Sequence, residues 1–140
     1  MLDLILCVDD DPITLMLCKK VISKTTFSNE IVTALNGEEA LQYLNSIKLQ
    51  DNDSKSPRQP QLIFLDLNMP VMGGWEFLDC FSSIDYSDFN TTTKVVILSS
   101  TIDPEDLEKA NKYPVVVDFL SKPITIAMLD YLSNKVLKKN

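Results

Sequence analysis

The stretch "LIFLDLNMP", Leu62 to Pro70, decides how the rest of the chain is read. Leu62, Ile63, Phe64 and Leu65 form a continuous apolar run, the pattern of a strand buried on both faces. Asp66 ends that run. A carboxylate in such a setting is costly unless it is paired, hydrogen-bonded or bound to a metal. Capping the turn that Asn68 and Pro70 begin is the ordinary reading of this aspartate, and a functional role is the other.

Working outward, five short β-prone runs emerge: Leu4–Val8, Glu30–Ala34, Gln61–Leu65, Lys94–Leu98 and Val115–Phe119. Helical stretches with clear start signals follow them. Asp11-Pro12 and Asp103-Pro104 each put a capping carboxylate before a proline at the first helical position. Asn36-Gly-Glu-Glu39 is a capping-box pattern, followed by Ala40, Leu41, Leu44 and Ile47 at helical spacing. Trp75, Leu78 and Phe81 mark a third helix, and Leu129, Leu132 and Val136 a last one. Strand–helix alternation five times over predicts an α/β fold, with a doubly wound parallel sheet covered on both faces. The polar, proline-containing segment Gln50–Pro60 reads as an extended surface loop, at about residues 49–60, inside one domain spanning 1–140.

Composition removes whole classes of chemistry. The chain has 140 residues and no histidine, which excludes Ser-His and Cys-His catalysis and histidine-ligated metals. Cys7, Cys18 and Cys80 sit in apolar segments at no metal-like spacing and are expected to be buried, reduced thiols. Any metal site must therefore use oxygen ligands, which points to magnesium, calcium or manganese. The only glycines are Gly37, Gly73 and Gly74, so no P-loop exists. A net charge of −7 disfavours direct nucleic-acid binding. The basic tail Lys135–Lys139 reads as a helix end matching its dipole. No run approaches the ~18 apolar residues of a membrane span and no signal peptide opens the chain, so the expected compartment is the cytoplasm.

In an open parallel α/β sheet, ligands bind beyond the carboxyl ends of the strands. The first strand delivers Asp9, Asp10 and Asp11 to that rim. The third delivers Asp66 and Asn68, the fourth Ser99, Ser100 and Thr101, and the fifth Lys122 before Pro123. Singly, each has a bland reading: a helix cap for Asp11, turn chemistry for the hydroxyls, a solvated loop for Lys122. Together they form a carboxylate cluster that repels itself unless a cation neutralises it, and magnesium accepts one or two carboxylates, waters and a phosphate.

The motifs "ILCVDDDP", "LIFLDLNMPVMGG", "VVILSST" and "FLSKPI" occur in that order, and with them the sequence resembles the receiver domain of two-component response regulators over nearly its whole length. The resemblance implies a flavodoxin-like strand order, 2-1-3-4-5, with five surrounding helices on both faces. It implies that Asp66 accepts a phosphoryl group from a sensor histidine kinase or a histidine phosphotransfer protein. It further implies Mg2+ held by Asp9, Asp10, Asp66 and the backbone carbonyl of Asn68. Lys122 would pair with Asp66 and then with the phosphate, and Ser99 would bond the phosphoryl group. Phe119 takes the place of an aromatic switch, which without a hydroxyl reports only by packing. Asn68 and Thr101 fall where the family tunes dephosphorylation. Such a protein catalyses only its own phosphorylation and dephosphorylation, and switches an unknown downstream protein. A nucleophilic carboxylate must be ionised, so nearby positive charge is expected to hold the Asp66 pKa low. A haloacid-dehalogenase-like phosphatase would want an acid two residues after the nucleophile, where Asn68 stands. A receiver-like protein-binding module that is not phosphorylated remains the alternative.

Overall fold

The computed structural model describes residues 2–50 and 59–137. Five strands, β1 (Leu2–Val8), β2 (Ser28–Ala34), β3 (Leu62–Leu65), β4 (Lys94–Ser99) and β5 (Val116–Ser121), form one parallel sheet in the order β2-β1-β3-β4-β5. This is the flavodoxin-like doubly wound order that the motifs imply. The helices are α1 (Pro12–Ser23), α2 (Gly37–Gln50), α3 (Gly74–Phe81), α4 (Pro104–Ala110) and α5 (Ile126–Leu132). The caps work as their residue types demand. The Ile13 amide donates to Asp11 Oδ1 at 3.0 Å and the Glu105 amide to Asp103 Oδ1 at 3.0 Å. At the start of α2 the Glu39 amide donates to Asn36 Oδ1 at 2.9 Å, while the Glu39 carboxylate reaches back to the Leu35 amide.

Side-chain alternation along the inner strands sorts the core into two layers. Leu6, Val8, Ile63, Leu65, Val95 and Ile97 face α2 and α3, where Phe77 and Phe81 stack with ring centroids 5.5 Å apart. Ile5, Cys7, Leu62, Phe64, Val96 and Leu98 face the other way, against Leu15, Cys18 and Ile22 of α1 and Leu129 and Leu132 of α5. Apolar groups on both sides explain why β3 is a continuous apolar run instead of an alternating one.

Several sequence expectations change. Helix α2 runs through Gln50, so residues 49 and 50 belong to it and not to the extended loop, whose residues 51–58 lie outside those described. A 3-10 turn at Ile84–Tyr86 runs into a helical turn at Ser87–Asn90, which no apolar period announced. It is held by Tyr86 and Phe89 entering the α2–α3 core, and by Asn90 Nδ2 donating to the carbonyls of Phe81 and Ser83. Strand β5 begins and ends later than its apolar run, because Ser121 pairs with Ser99. Cys7 and Cys18 are buried free thiols but Cys80 is half-buried. Burial and the neighbouring Asp9 carboxylate push the Cys18 thiol up to about 11, so it stays protonated and inert. Lys135, expected only to match a helix dipole, bonds Asp118 Oδ2 at 3.0 Å; residues 138–140 and the Val136 side chain lie outside the description.

Candidate functional site

Register builds the site. Val8 of β1 pairs with Leu65 of β3, so the next residues, Asp9 and Asp66, leave neighbouring strands at the same level. The ladder continues one step further, with the Asp66 amide donating to the Val8 carbonyl at 2.9 Å and the Asp9 amide to Ala34 at 3.1 Å. Leu65 pairs with Ile97, which sets Ser99 just beyond Asp66 on β4; Ser99 pairs with Ser121, and Lys122 comes next. The Lys122 amide donates to the Ser99 carbonyl at 2.8 Å, fixing the root of the lysine at this rim.

The charged ends converge. Asp9 and Asp66 are buried, at 5% and 8% exposure, while Asp10 is exposed. Carboxylate oxygens of Asp9, Asp10 and Asp66 lie within 4.8 Å of one another. The Lys122 ammonium bridges two of them, at 2.6 Å from Asp9 Oδ2 and 3.1 Å from Asp66 Oδ1. Its tighter partner is thus Asp9, which the motif did not foretell. Asp9 Oδ1 accepts the Asp11 amide at 2.9 Å, turning the β1–α1 loop so that Asp11 can cap α1.

The expectation that positive charge holds the Asp66 pKa low is corrected. Burial, and after it the Asp9 carboxylate, push the Asp66 carboxyl above its ordinary value, and Lys122 offsets them only in part. One ammonium shared between two buried carboxylates leaves a surplus of negative charge. Burial alone would lower the Lys122 pKa, but its bonds to Asp9 and Asp66 raise it, so the lysine remains charged. Three carboxylates with no nitrogen or sulfur donor suit a hard oxygen-seeking cation such as magnesium.

The other expected residues stand around this centre. Ser99 is buried, and its Oγ accepts the Thr101 amide at 3.4 Å. Asn68 and Thr101 are exposed at the rim. Phe119, half-buried, pairs with Ile97 and packs in the α2–α3 layer, two residues back from the Ser99–Ser121 level. It shares a sheet face with Ser99.

Two features of the β3–α3 loop were missed by sequence reasoning. A Cβ at Gly74 would lie 2.5 Å from the Asp66 carbonyl oxygen and 2.9 Å from Leu67 Cα, so only glycine lets α3 start against the end of β3. Val71 has φ 69°, a left-handed conformation that is strained for a β-branched residue. The Gly73-Gly74 pair was a readable signal for the first, whereas nothing local marked the second.

The open, doubly wound α/β sheet thus carries an acidic rim suited to a hard cation, beside a lysine. A family model described as the response regulator receiver domain matches residues 5–132, and the chain belongs to that family, the receiver domains of two-component systems. Among solved structures, a two-component response regulator from Cytophaga hutchinsonii is 34% identical with a TM-score of 0.86, covering 99% of this chain and 98% of that one. The phosphorylated cyanobacterial phytochrome response regulator RcpA is 25% identical with a TM-score of 0.74, covering 99% and 96%. Among curated proteins, the transcriptional regulatory protein HptR of Staphylococcus aureus is 30% identical over 139 residues, 99% of this chain. The chain spans about half the length of the curated relatives it matches, 47% of HptR. Among the described residues, no helix is long and apolar enough to cross a membrane.

Proposed function

We propose that residues 1–140 work as a receiver domain that takes a phosphoryl group on Asp66, in a magnesium-dependent reaction, from a sensor histidine kinase or histidine phosphotransfer protein, and thereby switches a downstream protein partner in the cytoplasm. The observation that carries this reading is the convergence of Asp9, Asp10 and Asp66 within 4.8 Å, with Lys122 bridging Asp9 and Asp66. RcpA, a similar protein, is known in a phosphorylated structure, which supports the same reading.

The residues divide the work. Asp9, Asp10, Asp66 and the Asn68 backbone carbonyl would hold Mg2+, which supplies the positive charge that phosphoryl oxygens need in transfer. An Asp66 carboxylate oxygen attacks phosphorus as the bond to the donor's imidazole nitrogen breaks, leaving an acyl phosphate on Asp66 and the pair of electrons on the donor. Lys122, rooted at Ser99 by its amide, swings its ammonium from the carboxylates to a phosphate oxygen. The Ser99 hydroxyl donates to another oxygen, and Phe119 on the same face of the sheet repacks behind it. The protein catalyses only its own phosphorylation and dephosphorylation.

Incubation with acetyl phosphate and magnesium, followed by intact mass, tests this directly. One added phosphoryl group is expected on the wild type and none on Asp66→Asn. A wild type that never gains the mass would instead be a receiver-like binding module without phosphorylation.

A further inference from the structure

Both sides of the acidic rim are tied to one short stretch of chain between β2 and α2. The Asp9 amide donates to the carbonyl of Ala34, the last residue of β2, at 3.1 Å. Three residues on, at the start of α2, the Gly37 amide donates to the Met72 carbonyl in the β3–α3 loop at 2.9 Å. Among the described residues this is the one backbone bond that joins residues 67–73 to an element other than α3. The contact is close. A Cβ at Gly37 would stand 2.8 Å from Met72 Cγ and 3.0 Å from both its Sδ and its carbonyl oxygen. Gly37 is buried, and Met72 packs half-buried against the α2–α3 layer of the core. The junction is also braced from within. Glu39 accepts the Leu35 amide at 2.9 Å and donates its own amide to Asn36 Oδ1 at 2.9 Å, which locks the chain around Gly37.

We propose that this junction, residues 34–37, is a positioning element for the metal cradle: it sets how far the β3–α3 loop, and with it the Asn68 carbonyl, stands from Asp9. The inference rests on Asp9 and Asn68 serving one ion, as in the reading above. Within the loop the Met72 amide donates to the Pro70 carbonyl at 2.7 Å, and the Gly74 amide closes on the Leu67 carbonyl at 2.9 Å. Leu67 to Gly74 is therefore a closed unit, and a push on Met72 is passed to Asn68. Magnesium demands nearly ideal octahedral geometry at ~2.0–2.1 Å, so it registers a cradle edge displaced by a few tenths of an ångström. A methyl group on residue 37 forces a shift of that size. Met72 Cγ and Sδ can swing aside, but its carbonyl oxygen is backbone and must give by about 0.4 Å, from 3.0 Å to the 3.4 Å where ordinary contact begins. Gly37 touches neither the ion nor the phosphoryl group, and acts only through Met72.

Magnesium titrations of the full chain, followed by the amide signals of Asp10, Asn68 and Met72, test this. Gly37→Ala should move the Asn68 and Met72 signals before any ion is added. It should then weaken magnesium binding roughly tenfold, as alterations to groups that orient metal ligands do. Glu39→Ala unlocks the junction at an exposed position without a clash, and should weaken binding in the same direction by a smaller factor. Ile47, buried further along the same helix, supplies the control. Ile47→Ala should lower stability in urea and leave magnesium affinity at the wild-type value. Wild-type affinity in both junction variants, or an equal loss in Ile47→Ala, would overturn the role of the junction and leave the magnesium reading standing. A wild type whose Asp10 and Asn68 signals ignore magnesium would overturn that reading, and this inference with it.

Discussion

Replacing Gly74 by alanine tests whether α3 positions Asp66 at the end of β3. The added Cβ would stand 2.5 Å from the Asp66 carbonyl oxygen, where ordinary contact begins near 3.4 Å, and 2.9 Å from Leu67 Cα. Both are backbone atoms, so no side-chain rotation relieves the clash. Helix α3 or the Asp66–Leu67 peptide must move by about 0.9 Å, in an interior packed tightly enough to resist it. The Gly74 amide also donates to the Leu67 carbonyl at 2.9 Å, and the shift strains that bond. Overpacking of this kind costs about 1–3 kcal/mol, with the lost hydrogen bond adding about 1 kcal/mol. Urea denaturation should show that loss. If Asp66 takes the phosphoryl group as proposed, a displacement near 1 Å at its carboxylate should also slow labelling by acetyl phosphate by as much as about a hundredfold. A variant within about 0.5 kcal/mol of wild type that is labelled at the normal rate would refute the claim that Gly74 sets the position of Asp66.

Val71→Asn should raise the denaturation midpoint by an amount worth about 1 kcal/mol, since asparagine tolerates φ 69° and this side chain is 74% exposed; an unchanged midpoint would mean that no strain is stored there. Asp10→Ala should weaken magnesium affinity, read from Trp75 fluorescence, while leaving folding intact because Asp10 is exposed; unchanged affinity would place the ion elsewhere. Without divalent ions, pH should reveal the raised Asp66 pKa. The folded state holds this proton more tightly than the unfolded chain, so its contribution is full below the carboxyl's ordinary value of 3.8 and is lost as pH rises through the higher folded value. Asp66→Asn should remove that part of the pH dependence and be more stable than wild type near neutral pH, and parallel profiles for the two proteins would contradict the assignment.

The two cap-plus-proline starts, the apolar run of β3 and the acid and lysine at the strand ends were legible because each depends on neighbours a few residues away. Once β1 and β3 are taken as adjacent, Asp9 and Asp66 share a rim by register alone, and the motif order supplied that adjacency. What the sequence could not specify were terms set by residues far apart in the chain. The preference of Lys122 for Asp9 depends on three loops meeting at angstrom precision. The raised Asp66 pKa follows from a balance of burial against shared charge, which has no value until the sheet closes. The helical turn at Ser87–Asn90 forms because Tyr86 and Phe89 find an aromatic layer made by α2 and α3. Val71 is held left-handed because the loop between Leu67 and Gly74 must close against fixed ends. Local preference chose the elements and their order, whereas the electrostatics and backbone strain of the site arise only when distant groups are desolvated together.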